Sequence, residues 1–222
     1  MLLKIPIHLP KKILIRKLIL LTFLFAITSV LHAQNITQIK SALEKTNDPI
    51  NYVKLTLKKR YKIDTIRILS TSHFLGIADS LAYNGKTGKV YGPFKGQNIL
   101  LKILGKAPNT FYRASQILLD TSIFKKKFAD SLGTVIISRI QNGSSTFESM
   151  ARTYSSDATA ANGGDMGWFI RGIMIPQFDK AITSHKKGDV FKIWTTAGLN
   201  IIEITENPKQ DNGFALLLRV FL

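Results

Sequence analysis

The second half of the chain carries the clearest alternation of apolar and polar positions. Arg113-Ala-Ser-Gln-Ile-Leu-Leu119 is a short aliphatic-rich run and predicts a buried strand. Phe124, Phe128, Leu132, Val135, Ile136 and Ile140 then recur at helical spacing with lysines on the other side, which predicts an amphipathic helix ending near Asn142-Gly143. Ser145-x-x-Glu148 has the form of a capping box, and Phe147, Met150, Ala151 and Tyr154 give the i, i+3, i+4, i+7 stripe of a second helix. Pro176 opens a third, because proline at the first helical position loses no hydrogen bond, and Phe178 and Ile182 then fall one turn apart on its inner face. Val190 to Thr195 and Leu199 to Thr205 flank Ala197-Gly198 as a hairpin. A strand, three helices and a closing pair of strands make the class α+β.

The first half is less regular. Residues 34–76 read as helical and basic, and the Gly105-Lys106-Ala107-Pro108-Asn109 cluster reads as a loop dividing the chain. Gly88-Lys89-Val90-Tyr91 echoes Gly188-Asp189-Val190-Phe191 one hundred residues later, and Leu100-Leu101-Lys102-Ile103 echoes Ile201-Ile202-Glu203-Ile204. Two readings stay open there, a partial internal repeat and two similar hairpins. The expected division is a signal peptide over 1–33, an N-terminal segment over 34–108, a main domain over 109–206 and a C-terminal tail over 207–222. Phe214 to Leu222 is apolar with one arginine, which leaves open a truncated form of a longer protein and an exposed, adhesive end.

The signal-peptide reading rests on Lys4, Lys11, Lys12, Arg16 and Lys17, followed by an apolar run from Leu18 to Leu31 and then His32-Ala33. That run has 14 residues, and a membrane span needs about 20, so cleavage near Ala33 and export to the periplasm are expected. Leu31 stands where a small residue is preferred before a cleavage point, which keeps an N-terminal membrane anchor open. Gln34 is not cysteine, so lipid attachment at a new N-terminus is excluded.

Composition narrows the chemistry. The chain has no cysteine and four histidines, which excludes thiol nucleophiles, disulfide frameworks and cysteine-based zinc sites. No metal and no cofactor is expected. The net charge is +17; without the five bases of the leader, 26 bases against 14 acids leave +12. The largest basic clusters, Lys58-Lys59-Arg60 and Lys125-Lys126-Lys127, both fall in stretches that read as solvated helix faces. With export and dispersed lysines, nucleic acid is not an expected partner, whereas transient contact with an anionic envelope surface is.

The densest special segment is Tyr154-Ser155-Ser156-Asp157 followed by Asn162-Gly163-Gly164-Asp165-Met166-Gly167-Trp168-Phe169. Its three closely spaced glycines demand a backbone that a Cβ would obstruct. Five blocks then carry a resemblance: Arg113-Ala-Ser-Gln-Ile-Leu, Phe147-x-x-Met-Ala-x-x-Tyr-Ser-x-Asp157, Gly163-Gly-Asp-Met-Gly-Trp-Phe, Met174-x-x-x-Phe178 and Gly198-Leu-Asn-Ile-Ile. In this order, over residues 110–206, they resemble the parvulin-type peptidyl-prolyl isomerases, of the kind carried by secreted bacterial foldases.

The resemblance implies a small antiparallel sheet with three or four helices around it. It also implies isomerisation of Xaa–Pro bonds in unfolded or partly folded exported proteins. Met166, Met174 and Phe178 match the family's proline pocket, and Asp157 matches the position that faces the substrate amide. Asp165 is expected to brace the glycine turn. Gln116 and Asn200 stand where the family usually has two histidines; both still offer amide hydrogen bonds, and neither titrates as imidazole does. A second reading therefore stays open, a non-catalytic peptide-binding chaperone with the same groove. The first-half echo resembles the tail of a degenerate neighbouring copy without the Gly-Gly-Asp element.

Overall fold

A computed structural model of the chain describes residues 35–71 and 73–222. The leader over 1–33, with both readings of it, lies outside the described residues. In chain order the elements are α1 (35–45), α2 (Pro49–Asn51), a π-helical turn (Tyr52–Leu57), β1 (Tyr61–Arg67), α3 (Ile77–Asn84), β2 (Val90–Tyr91) and β3 (Ile99–Asp120). There follow α4 (Lys126–Gln141), α5 (Phe147–Tyr154), a 3-10 turn (Ala158–Asn162), β4 (Asp165–Ile170), α6 (Pro176–Thr183), β5 (Val190–Trp194) and β6 (Gly198–Phe221). The α+β class is as expected. Among the described residues no helix is long and apolar enough to cross a membrane.

The described residues form two compact units. The smaller takes the chain up to Tyr61 together with Val90–Leu100 and Val220–Leu222. Its α1 is tied to β2 by polar bonds: Val90 N donates to Glu44 Oε1 (3.0 Å) and Lys40 Nζ to Gly92 O (2.8 Å). Asp48 accepts from Asn51 N at the start of α2, where Pro49 takes the first helical positions. The helical reading of this segment holds as far as Leu57. Lys58-Lys59-Arg60 is not a helix face, because Lys58 adopts a left-handed conformation (φ 50°) that ends the π-helical turn.

The larger unit takes Lys62–Lys89 and Leu101–Arg219. β3 and β6 are neighbours in its sheet; β4 pairs antiparallel with β3 through Phe111↔Ile170 and Arg113↔Trp168, and β5 with β6 through Ile193↔Asn200. Side chains alternate across the strands, so each central strand feeds two cores. Ile117, Leu119, Leu199 and Ile201 meet Ala129, Ile136, Phe147, Met150 and Ala151 of α4 and α5. On the other face Tyr112, Ala114, Ile202 and Ile204 meet Phe169 of β4 and Phe178 and Ile182 of α6.

Several local expectations change. The buried face of α4 is Ala129, Gly133 and Ile136, while Phe128 and Val135 are 57% and 48% exposed. The small residues decide this: a Cβ on Gly133 would stand 2.6 Å from Leu199 Cδ2, so the helix approaches the sheet along its glycine side. The cap of α5 is Thr146, whose hydroxyl accepts from Ser149 N (3.1 Å), and not Ser145; Glu148 pairs with Arg152 instead. The Gly105–Asn109 cluster is no loop but the middle of β3. Ala107 and Pro108 are exposed there, and proline brings no N–H to the ladder at that point. Strand β6 lies beside this stretch: Gly213 packs on Asn109, and Gln210 Nε2 donates to Thr110 Oγ1 (2.8 Å). Neighbouring backbone overrides the turn composition. Phe214 onward continues β6, with Ala215, Leu217, Leu218 and Val220 buried rather than exposed.

Candidate functional site

The segment after α5 is stitched to β3. Ser156 N donates to Leu118 O (2.8 Å), and Ser155 Oγ accepts from both Leu118 N (3.1 Å) and Asp157 N (3.2 Å). This holds Asp157 beside Gln116, and Gln116 Nε2 donates to Asp157 Oδ2 at 3.2 Å. The other carboxylate oxygen caps the 3-10 turn: Asp157 Oδ1 accepts from Thr159 N (2.8 Å) and Thr159 Oγ1 (2.6 Å). Asp157 thus both braces its loop and keeps one oxygen toward β3.

The glycine pair completes the frame. Gly163 and Gly164 have φ of 69° and 83°, a region that side-chained residues rarely adopt. Gln116 N donates to Gly164 O (2.9 Å), and a Cβ on Gly164 would stand 2.5 Å from Gln116 O. The demand for glycine there comes from the backbone of the residue that bonds Asp157. Asp165, next in line, braces the turn as expected. It pairs with Arg113 (2.6 Å) and accepts from Gly167 N (2.9 Å). The Arg113 hydrogen bond is the main cause holding its carboxyl below the ordinary carboxylate range, against the effect of burial.

The apolar floor is one cluster. Phe178 is 4% exposed and packs edge-on to Phe169 (6.4 Å between centroids). Tyr112, Ala114, Ile182, Ile202 and Ile204 surround it, with Met166, Met174, Phe191 and Ile193 partly buried at its margin. Met166, Met174 and Phe178 are therefore brought together. By strand alternation Gln116 shares its face with Tyr112 and Ala114, and Asn200 shares its face with Ile202 and Ile204.

Asn200 does not join the Gln116–Asp157 bond. It is buried, 4% exposed, and its Nδ2 donates to Thr195 Oγ1 (2.9 Å) and Gly198 O (3.2 Å). Thr195 itself lies past the end of β5 and serves as a hairpin brace, not as a strand residue. Sequence reasoning missed Thr159, although a hydroxyl two residues after an Asp is a recognisable local capping pattern. It also missed His185, which stacks on Phe191 (3.6 Å between centroids, 11° between planes) behind the apolar floor.

Two clefts adjoin this assembly. One, of about 710 Å³, is lined by Met166, Gly167, Trp168, Arg113 and His73 among others. The second, of about 340 Å³, is lined by Arg113, Asp165, Glu148, Glu203 and Glu206 among others, and burial pushes the Glu203 carboxyl up from its ordinary value.

A family model described as PPIC-type PPIASE domain matches residues 98–208, half of the chain. The chain belongs to this family, the parvulin-type peptidyl-prolyl isomerases. It is similar to Chaperone SurA of Bordetella avium, 41% identical over 71 residues, covering 32% of this chain and 14% of that protein. It is similar also to Chaperone SurA of a Shewanella species, 31% identical over 136 residues, covering 57% and 31%. Among solved structures, PrsA from Bacillus subtilis is 35% identical over 44% of this chain and 35% of that one, with a TM-score of 0.37. The chain spans less than a third of the length of each of these two curated relatives.

Proposed function

We propose that the protein is a peptidyl-prolyl cis-trans isomerase that acts on Xaa–Pro bonds of unfolded or partly folded exported proteins, beyond the inner membrane. The observation that carries this reading is the Gln116–Asp157 hydrogen bond on the sheet face whose apolar core holds Phe178, Met166 and Met174. Amide resonance sets a barrier of about 18–20 kcal/mol, and crossing it needs rotation but no covalent step. Resonance puts negative charge on the carbonyl oxygen, so an anionic carboxylate near that oxygen disfavours the planar form and lowers the cost of twisting. Asp157 supplies that charge. Gln116 orients it, Asn200 orders the hairpin beside the site, and Met166, Met174 and Phe178 receive the proline ring, to which thioethers and an aromatic ring adapt well. The dispersed positive charge favours transient contact with an anionic envelope surface, which added salt would weaken.

One observation favours a second reading, a peptide-binding chaperone without catalysis: the Asn200 amide is spent on Thr195 and Gly198. Isomerisation of a short Xaa–Pro peptide, measured for the native chain and for Asp157→Ala, separates the two. Acceleration that falls in the variant supports the isomerase. A folded protein that binds the peptide with no acceleration overturns it and leaves the chaperone.

A further inference from the structure

Two strand–helix–turn segments of the larger unit close in the same way. In the segment of the candidate site, β4 ends and the next residue, Arg171, donates its N–H to Thr110 O of β3 (2.9 Å). The eight-residue helix α6 follows, then a turn in which Asp189 N donates to Lys186 O (3.0 Å) and Gly188 has φ 90°. Gly188 N then donates to Ile204 O (2.8 Å), and Ile204 N donates back to Asp189 O (3.1 Å).

Every step recurs earlier in the chain. β1 ends, and the next residue, Ile68, donates its N–H to Gly213 O of β6 (2.8 Å). The eight-residue helix α3 follows, then a turn in which Lys89 N donates to Lys86 O (3.2 Å) and Gly88 has φ 84°. Gly88 N donates to Ile103 O (2.7 Å), and Ile103 N donates back to Lys89 O (3.3 Å). In both segments an Arg–Asp pair clamps the strand pair, Arg113 with Asp165 and Arg219 with Asp64 (2.9 Å). The roles of the long strands are exchanged: β3 lies beside β4 and β6 beside β1, while the turn after α6 closes on β6 and the turn after α3 on β3.

We propose that residues 62–89 and 101–106 are a second, abbreviated copy of the module around the candidate site, and that residues 211–219 serve as its central strand. The strand that follows the hairpin at Gly198 therefore does two jobs in sequence: 198–206 borders the candidate site, and 211–219 completes the copy. The copy has no proline pocket. Counted back from the glycine of the turn, Ala78 stands where α6 has Phe178, and next to it Asp79 Oδ2 accepts from Leu75 N (3.0 Å). Ala82 likewise stands where α6 has Ile182, both buried, and next to it the Tyr83 hydroxyl donates to Asp211 Oδ2 (2.9 Å) while its carbonyl accepts from Lys106 Nζ (2.5 Å). The copy is held to the terminal strand by polar bonds, and its role is to anchor that strand. This holds whether or not the groove catalyses.

Hydrogen exchange on the full chain tests the assignment. Leu217, fully buried in β6, is changed to Asp. Amides over 61–68 and 77–89 are expected to lose protection by about a hundredfold, while those over 111–119, 165–170 and 198–205 keep theirs. A synthetic peptide of residues 211–222 added in excess restores the lost protection. Arg219→Ala is the milder variant and decides the matter if Leu217→Asp does not fold. It is expected to speed exchange of the β1 amides about tenfold and to leave the β4 amides unchanged. Equal loss over both segments, or none over 61–89, overturns the proposal.

Discussion

Gln116 and Asp157 are joined by a hydrogen bond of 3.2 Å, with Gln116 Nε2 as the donor. A primary amide delivers one N–H to the carboxylate and, unlike imidazole, carries no charge at any pH in the working range. The hydrogen bond to Asp157 thus comes from a group that does not titrate.

Gln116→His returns an imidazole to this position, a group whose ordinary pKa is about 6.5 and which a neighbouring carboxylate shifts upward. The ratio of variant to native isomerisation rates is expected to change across about pH 5.5–7.5. Groups common to both proteins cancel in the ratio. A ratio constant over that range would show that residue 116 does not face the reacting amide.

Thr159 fixes the carboxylate that Gln116 bonds. Thr159→Val keeps the backbone N–H and removes the hydroxyl, a loss of about 1 kcal/mol of hydrogen bonding, and isomerisation is expected to fall by about fivefold. Thr159→Ser restores it. A Val variant as fast as the native chain, or a Ser variant as slow as Val, would show that the hydroxyl is not what fixes the carboxylate.

Gly164 and Gly172 both have positive φ, 83° and 84°, but only Gly164 has backbone atoms where a Cβ would go. Gly164→Ala is expected to cost about 1–3 kcal/mol in thermal or urea unfolding, and Gly172→Ala distinctly less. Equal costs would mean that φ alone, not the approach to Gln116, requires glycine.

Burial raises the Glu203 carboxyl in the folded state. Above the ordinary glutamate range the unfolded chain ionises this group more readily than the folded one, so its charge lowers stability as pH rises. Glu203→Gln should therefore raise the melting temperature at pH 7, with the gain fading as pH falls below about 4, where both states hold the proton. A gain that is the same at both pH values would point to a cause other than charge.

The strands and helices from Arg113 to Thr205 were legible because each is patterned locally: Phe147, Met150 and Ala151 fall on one face of α5, and Pro176 opens α6. Three things were not. The face of α4 turns on Ala129 and Gly133, whose value lies in what they allow Leu199 to touch, and side-chain hydrophobicity does not record that. The strand through Pro108 is held by a neighbour about a hundred residues away, at Gly213. The site residues were found through motif order, and the sequence carried no sign that Asn200 would turn to Thr195 while Gln116 turned to Asp157. Amide side chains take whichever partner the packing offers, and that is settled only in three dimensions.

Met166 and Met174, half-buried at the margin of the apolar floor, set the chemical durability of the protein. With no cysteine in the chain, oxidants find no thiol, and these half-buried thioethers become their foremost target. Conversion to sulfoxide would put a polar, larger group at the margin of the apolar cluster, where the proposed function seats a proline ring. Peroxide exposure followed by peptide mapping should find these two positions oxidised ahead of the buried Met150, and peptide binding lost in step with them. A protein built this way would wear out at that margin while its fold endured.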